Sequence, residues 1–168
     1  IVDSYDNWTM CQIQYNYMNE DFQAGTEGLQ YAAHKGLAVV IMEPLLGGKL
    51  VSAPPAVQAV WDTAPVTRTP PEWALSWLWN KPKVSLVLSG MSTMQQVIDN
   101  VAYASRSAVG MLSGEELATV ARARDAYNEL CPVPCTGCRY CMPCPNGVDI
   151  PGVFAIFNRG LMYNSMDQ

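Results

Sequence analysis

Five cysteines crowd into a short segment near the C-terminal end of the chain, and this segment limits the possible folds more than any other feature. The sixth, Cys11, stands alone near the start. Disulfides stabilise mainly by closing long loops, and the spacings here are too short for that. Clustered thiols instead favour a bound metal in a reducing compartment. The clustered residues are Cys131, Cys135, Cys138, Cys141 and Cys144.

The composition indicates a soluble globular protein. The chain has 168 residues, of which 49% are hydrophobic and 15% charged, enough for one domain with a sizeable core. A formal charge of -5 and the lack of a Lys/Arg run argue against a nucleic-acid partner. The longest apolar stretch, 36–42, is much shorter than the roughly 20 residues of a membrane span. We therefore expect a cytoplasmic protein without a membrane partner, and a fragment, because residues 1–8 resemble the middle of a protein.

Strand and helix patterns alternate along most of the chain. Three runs, 10–17, 37–42 and 83–89, are typical of strands, the second being continuous and β-branched as in a buried parallel strand. Helical patterns follow each run, and Ser113 with Glu116 forms a capping box that starts a further helix. The predicted helices run up to Gly36, over 57–62, over 71–79, from Ser92 onward, from Ser113 to about 130, and over a short stretch after Pro151.

This order predicts an α/β fold with a parallel sheet. Right-handed βαβ crossovers place the helices against the sheet and the ligand sites at the carboxyl ends of the strands. The second strand leads into 43–49, where paired glycines let backbone approach a ligand closely. The tryptophans of the 71–79 helix, Trp73, Trp77 and Trp79, are predicted to be core.

Three segments resemble the aldo-keto reductase family in their order and spacing. Residues 11–16 (CQIQYN), 40–48 (VIMEPLLGG) and 88–100 (LSGMSTMQQVIDN) look like the sixth, seventh and eighth strands of the family's barrel. The expected fold is therefore the C-terminal portion of a TIM (β/α)8 barrel, about three βα units. The tail at 135–151 is similar to the ferredoxin-like extension of bacterial and archaeal aldo-keto reductases. The expected organisation is a partial barrel over 1–112, a connecting helix over 113–130 and a Cys-rich metal-binding extension over 131–168.

The resemblance implies a nicotinamide cofactor, NADP or NAD, on the barrel part. In the family, a glutamine on the sixth barrel strand binds the nicotinamide carboxamide, and its match here lies on the first strand. The segment that resembles the family's pyrophosphate-binding loop follows the second strand. The residues that match the binding site for the adenosine half of the cofactor follow the third strand. Lys49 either assists in binding the pyrophosphate or is simply solvated. Many NADPH-using members hold the 2′-phosphate with Lys or Arg near Gly90 or Gln96, and neither charge is present; Met42 replaces an aromatic that would stack on nicotinamide. The expected cofactor-binding residues are Gln12, Pro44, Leu45, Gly47, Gly48, Ser89, Gly90, Ser92, Gln96 and Asn100.

No catalytic residue is assigned. In the family the proton-donor tyrosine and its lysine, aspartate and histidine partners lie on earlier strands, which this chain lacks. The chain alone is therefore not expected to catalyse. His34, the only histidine, sits in the last turn of a predicted helix, where dipole stabilisation or simple exposure accounts for it better than acid-base chemistry does.

The cysteine run fits a single 4Fe-4S cluster. Cys135, Cys138 and Cys141 have the C-x2-C-x2-C spacing of ferredoxins, and each iron corner needs one thiolate. The fourth ligand is either Cys144, which is favoured, or Cys131. The alternative is a structural zinc held by four cysteines, although zinc sites usually pair two C-x2-C hooks across a longer spacer. The helix after Pro151 is expected to cover the centre with Val153, Ile156 and Phe157.

Two functions follow from these patterns. The first is a fragment of a nicotinamide-dependent aldo-keto reductase whose iron-sulfur cluster relays electrons or holds the tail. The second is an electron-transfer or interaction module with a structural zinc site. Open sheet edges invite association, so the expected partner is the missing N-terminal barrel half or a second copy of the chain, with a redox partner for the cluster.

Overall fold

A computed structural model describes residues 2–5, 7–133, 135 and 138–163. Strands and helices alternate over the first part of the chain, as the sequence predicts. None of the described helices is both long enough and apolar enough to cross a bilayer. The elements are the 3-10 helix Val2–Ser4, β1 (Met10–Gln14), α1 (Gly25–His34), β2 (Ala38–Met42), α2 (Pro55–Asp62), α3 (Pro70–Trp79), β3 (Leu86–Val87), α4 (Met94–Ser105), α5 (Gly114–Glu129) and α6 (Ile150–Met162).

The strands form one parallel sheet in the order β1-β2-β3. β2 pairs with β1 over five residues and with β3 over two. Val39 and Ile41 on one face of β2 are fully buried. Because side chains alternate between the faces of a strand, the opposite face carries Met10 and Leu86, which are 49% and 48% exposed. A parallel sheet with one covered and one open face is the arrangement of part of an α/β barrel, in which the inner face of each strand points toward the other strands.

β1 ends earlier than predicted because Asn16 turns the chain. Its side-chain nitrogen donates to the carbonyl of Glu43 at 3.0 Å, and its side-chain oxygen accepts from the amide of Met18 at 3.1 Å. Asparagine side chains commonly replace backbone partners in this way at turns. The turn places Tyr15 and Tyr17 in the core, where they are 0% and 1% exposed.

β3 is also shorter than the predicted run 83–89. It spans two residues, although the amides of Ser85 and Leu88 extend the pairing by donating to carbonyls of β2 at 2.9 Å each. Within the described residues β3 has β2 as its one neighbour, so β1 and β3 are both edge strands. The open edges predicted from the sequence are therefore present in the described part of the chain.

Buried aromatic rings form much of the core between the sheet and the helices. Every residue of α3 from 73 to 78 is buried. Trp73 stacks on Trp61 of α2 with ring centroids 5.3 Å apart, a contact worth about 1 kcal/mol beyond the area it buries. The prediction that the tryptophans are core is confirmed for Trp73 and Trp77, whereas Trp79 is half-buried.

α5 begins at the predicted capping box. The hydroxyl of Ser113 accepts from the amide of Glu116 at 3.2 Å, and the Glu116 carboxylate accepts from the amide of Ser113 at 2.8 Å. The other carboxylate oxygen binds the guanidinium of Arg68 in an ion pair whose side chains are 11% and 8% exposed. This buried pair fastens the Pro-rich connection before α3 to the start of α5.

α6 attaches to the core at its C-terminal end. Tyr163 packs on Tyr127 of α5 with ring centroids 5.5 Å apart. The predicted helix after Pro151 is confirmed and is longer than expected. The three side chains predicted to cover a bound metal centre are open to solvent within the described structure. They are Val153, Ile156 and Phe157, which are 52%, 65% and 42% exposed.

Replacing Tyr127 with phenylalanine is expected to make the protein more resistant to alkali. Burial, with a smaller effect of Tyr163, raises the pKa of Tyr127 to about 12. The stability that this raised pKa confers is complete below the unfolded value near 10 and is lost as pH rises through the folded value. When the pH is raised from 10 to 12, the free energy of unfolding of Tyr127→Phe should therefore fall by about 2 kcal/mol less than that of the wild type.

Urea unfolding at a series of pH values, followed by circular dichroism, checks this prediction. At neutral pH the substitution should cost at most about 1 kcal/mol, because the hydrogen-bonding neighbour of the buried Tyr127 hydroxyl is the hydroxyl of Tyr17. The control is Tyr140→Phe, since Tyr140 is 95% exposed. If the free energy of unfolding fell equally with pH in the two variants, ionisation of Tyr127 would not limit the stability of the protein in alkali.

Candidate functional site

A cavity of about 570 Å³ opens where β2 and β3 end and α4 begins. This is the carboxyl edge of the parallel sheet, where the sequence predicts ligand sites. Its volume lies in the range of small-molecule and cofactor sites. The structure brings nine of the ten predicted cofactor residues together around it, namely Pro44, Leu45, Gly47, Gly48, Ser89, Gly90, Ser92, Gln96 and Asn100.

The tenth residue, Gln12, is not among those that line the cavity. It lies exposed on β1, and its side-chain nitrogen contacts the sulfur of Met42 at 3.2 Å. Met42 itself lines the cavity. The contact therefore places Gln12 beside the cavity wall, on the open face of the sheet, rather than inside the pocket.

The loop after β2 has an uncommon backbone. Glu43, Leu46, Gly47 and Gly48 all have positive φ values, between 50° and 88°, and two of them carry side chains that disfavour this conformation. The amides of Leu46, Gly48 and Lys49 donate to carbonyls within the loop. These three amides are therefore engaged within the loop rather than directed at a ligand in the cavity.

α4 begins at a second capping box that the sequence reasoning missed. The hydroxyl of Thr93 accepts from the amide of Gln96, and the Gln96 side-chain oxygen accepts from the amides of Ser92 and Thr93 at 2.8 and 3.2 Å. The T-x-x-Q spacing is visible in the sequence and is the signal that could have found it. Asn100 donates to the hydroxyl of Ser89 at 3.1 Å, which ties α4 to the loop after β3.

Two acidic residues line the cavity, and neither was among the residues predicted from the sequence. They are Glu43 in the loop after β2 and Asp99 on α4, one helical turn beyond Gln96. The i to i+3 spacing on α4 was the available signal for Asp99. No Lys or Arg is among the described residues that line the cavity. Lys49 lies over the ring of Tyr163, with its Nζ atom 5.6 Å from the centroid, and so turns away from the site.

Comparison with known proteins fits this geometry. Residues 2–124 match the model of the aldo/keto reductase family. The chain belongs to this family. The match includes all three strands and reaches well into α5, farther than the 112 residues of the resemblance read from the sequence.

Solved aldo/keto reductases share the fold. The holo and apo forms of an aldo-keto reductase from Bacillus halodurans each match with a TM-score of 0.57 and 21% sequence identity, over 73% of this chain and 46% of the reductase. The chain thus spans a little under half the length of these reductases. No curated protein matches the sequence. The parallel strands and their helices form part of the family's α/β barrel, as the sequence predicts.

The only histidine lies outside the cavity of this aldo/keto reductase chain. His34 is exposed in the last turn of α1. Within the described residues, α1 does not contribute to the cavity lining. His34 thus lies at the protein surface, at the end of a helix, as its position in the sequence favours.

The cysteine loop follows the aldo/keto reductase region and is largely open to solvent. Cys135, Cys138 and Cys141 are exposed, Cys144 is half-buried, and Tyr140 is 95% exposed. Residues 134, 136 and 137 lie outside the described part of the loop. Among the described residues no three His, Cys, Asp or Glu side chains lie together as metal ligands. The thiol chemistry of the loop nevertheless fits an iron-sulfur cluster, because soft sulfur ligands are abundant and accessible.

The start of the loop is held by Asn158 of α6. The side-chain nitrogen of Asn158 donates to the backbone carbonyl of Val133 at 2.7 Å, and the backbone amide of Val133 donates to the side-chain oxygen of Asn158 at 3.2 Å. The same carbonyl accepts from the amide of Cys135 at 2.7 Å and from the thiol of Cys131 at 3.7 Å. Cys131 is therefore turned toward the base of the loop, in contrast to the exposed cysteines beyond it.

Proposed function

We propose that the chain is the cofactor-binding part of a nicotinamide-dependent aldo/keto reductase, and that its C-terminal segment holds an iron-sulfur cluster. The observation that carries the first statement is the convergence of nine residues from two loops and one helix on a single cavity. The parent enzyme would interconvert a carbonyl and an alcohol. The residues for proton transfer would come from elsewhere in the barrel, so this chain supplies cofactor binding rather than chemistry.

The cavity has the parts that a dinucleotide needs. The N-terminus of α4 borders it, and the positive end of a helix dipole attracts phosphate oxygens. The Ser89–Asn100 pair presents polar groups, while Pro44, Leu45 and Met91 supply apolar surface for a ring system. This combination of an apolar lining with a few oriented polar groups is typical of cofactor sites.

Filling the cavity should remove nucleotide binding. A Cβ atom at Gly90 would meet nothing within 4 Å, and its φ is not in the left-handed region, so Gly90→Leu can fold without strain and place its side chain in the cavity. Calorimetric titration of the full chain with NADH and NADPH should show binding that the variant weakens at least tenfold. A matched control is Gly114→Leu, since Gly114 has equally open space at the start of α5, away from the cavity.

The outcomes of this titration are decisive. Wild-type chain that binds neither dinucleotide would contradict the proposed cofactor role of the isolated chain. Equal binding by wild type and Gly90→Leu would show that the nucleotide binds somewhere else. Loss of binding in both glycine variants would indicate that leucine disturbs the fold rather than the site, and circular dichroism of both variants detects that case.

The cluster proposal rests on the thiols of the extension. Cys135, Cys138, Cys141 and Cys144 would hold it, and a bound cluster supplies one-electron transfer. Anaerobic reconstitution with iron and sulfide, followed by elemental analysis and visible spectroscopy, tests the proposal. Iron with acid-labile sulfide and a visible band that bleaches with reductant are expected. A colourless protein that retains one zinc would contradict the cluster and identify the structural zinc site instead.

The open sheet face and edges favour association with a partner. Met10, Leu86 and Leu88 leave apolar surface exposed, and unpaired edge strands recruit further strands. We propose that the other barrel strands, or a second copy of the chain, cover this face, and that a redox partner approaches the exposed cysteine loop. Sedimentation of the purified chain should show self-association, and a stable monomer would contradict the second-copy version.

A further inference from the structure

We propose that α6 couples the cysteine loop to the loop after β2, residues 43–49, so that metal bound by the cysteines stabilises one wall of the cavity. The inference rests on the metal site proposed above, and the path between the two loops follows contacts among the described residues. α6 spans Ile150–Met162, which gives it a length of about 20 Å. It begins where the cysteine loop finishes and ends beside the loop after β2.

Both ends of the cysteine loop are attached to α6. At its start, the backbone of Val133 forms two hydrogen bonds with the side chain of Asn158, at 2.7 and 3.2 Å, and Asn158 is buried. At its end, Cys144 lies five residues before Asp149, the N-cap residue of α6. Metal binding orders the segment that supplies the ligands. Because that segment starts and finishes on α6, we expect bound metal to fix the position of the helix.

The C-terminal end of α6 contacts the loop after β2 through Tyr163. The Tyr163 ring packs on Tyr127 of α5 with ring centroids 5.5 Å apart, and the Nζ atom of Lys49 lies over the same ring, 5.6 Å from its centroid. Contact between an ammonium group and an aromatic face is attractive. Tyr163 therefore connects α6, α5 and Lys49, and its position depends on that of the helix.

The conformation of the loop after β2 needs support from its surroundings. Glu43 and Leu46 have positive φ values of 57° and 50°, although neither is glycine. Such conformations persist where neighbouring structure fixes them, and they are common in segments that switch. Leu45 and Gly47, which flank Leu46, line the cavity. A contact that restrains this loop at Lys49 therefore also restrains the cavity wall.

The coupling predicts that metal and a cavity ligand strengthen each other's binding. A ligand that meets an ordered wall does not have to order it, so the metal-loaded chain should bind the ligand more tightly. Linkage requires the ligand to raise the affinity for metal by the same factor. The metal content of the extension would thereby regulate the proposed cofactor site.

Hydrogen exchange of the backbone amides in 46–51 tests the contact between α6 and the loop after β2. The amides that donate to carbonyls within 43–51 are those of Leu46, Gly48, Lys49, Leu50 and Val51. Their exchange rates in the full chain report how often the loop opens. Tyr163→Leu removes the ring and should speed this exchange about tenfold. The matched control is Tyr31→Leu, because Lys35 lies over the Tyr31 ring at 5.5 Å on α1, none of whose described residues lines the cavity.

A second variant tests whether α6 transmits the change. Asn158→Leu should speed the same exchange, because it releases α6 from the start of the cysteine loop while Tyr163 is still present. Circular dichroism of each variant checks that the fold is kept. Exchange that is unchanged in Tyr163→Leu, or equally fast in Tyr31→Leu, would overturn the proposal.

Metal loading tests the direction of the coupling. The full chain is reconstituted anaerobically with iron and sulfide, or with Zn2+ alone, and bound metal is measured by elemental analysis. Loaded wild type should exchange the 46–51 amides about threefold more slowly than the metal-free chain, and Tyr163→Leu with the same metal content should show no such change. Unchanged exchange in loaded wild type would overturn the coupling while the metal site stands. Failure to bind either metal would overturn the metal site and the coupling with it.

Discussion

Glu116→Gln is expected to lower the free energy of unfolding by about 3–5 kcal/mol at neutral pH. The wild-type carboxylate pairs with Arg68, and both side chains are nearly fully buried. The variant leaves the guanidinium in place, 4.5 Å from the centre of the Trp73 ring, without its anion. Glutamine also serves in a capping box, so the start of α5 is retained and the loss reports on the buried charge.

The pH dependence of this loss has a definite sign. Burial raises the pKa of Glu116, but hydrogen bonds from Ser113 and Arg68 outweigh it and hold the pKa below its usual value of 4.5. A lowered pKa confers stability above the unfolded value, and that stability is lost as pH falls through the folded value. The wild-type and Glu116→Gln curves should therefore converge in acid.

Two further variants separate the buried charge from general damage. Glu72→Gln breaks a pair in which Arg106 is 58% exposed, and it should cost less than about 1 kcal/mol. The double variant Arg68→Met with Glu116→Gln should recover most of the stability, because no isolated charge remains buried. Urea unfolding at pH 7 measures all three, and equal losses for Glu116→Gln and Glu72→Gln would refute the argument.

Local patterns predicted the helices well because their signals lie within a few residues. Ser113 and Glu116 are three residues apart, and Gly36, at the end of α1, has the positive φ of 81° that favours glycine. The end of β1 could not be predicted in this way. It depends on Asn16 reaching the backbone of Glu43, which is distant in sequence and becomes a neighbour only when the sheet forms.

The candidate site shows the same division between local and tertiary information. The positions matched to the family converged on the cavity because they follow β2 and β3, whose carboxyl ends meet at one edge. Glu43 and Asp99 were missed because the family match does not single out their charge. The direction of Lys49 was also beyond the sequence, since it depends on how α6 folds back to place Tyr163 beside the loop.

The extension was the least predictable part in its geometry. The cysteine spacing indicates a metal ligand set, but the position of the Cys131 thiol depends on a contact between the base of the loop and α6. Asn158, buried at 8% exposure, holds the backbone of Val133 through two hydrogen bonds. The spacing of the cysteines favours Cys144 over Cys131 as the fourth ligand, and the contact of Cys131 with Val133 adds a tertiary reason that the spacing does not contain.

Serine substitutions of the clustered cysteines should distinguish those that bind the cluster from the one that does not. A hydroxyl is a hard donor that binds iron of a cluster poorly in place of a thiolate. After anaerobic reconstitution, Cys135→Ser, Cys138→Ser, Cys141→Ser and Cys144→Ser are each expected to lose most of the bound iron and visible absorbance. Cys131→Ser should retain them, and Cys11→Ser on β1 is the control for thiol loss outside the loop.

The structural argument concerns the fourth ligand. The Cys131 thiol donates to the Val133 carbonyl at 3.7 Å, and Asn158 fixes that carbonyl against α6, so Cys131 would have to leave this contact to reach a cluster. Cys144 is free of that constraint and follows Cys141 at the same spacing that separates the earlier ligands. If Cys131→Ser lost the iron and Cys144→Ser kept it, the assignment would be reversed, and cluster binding would have to turn Cys131 away from Val133.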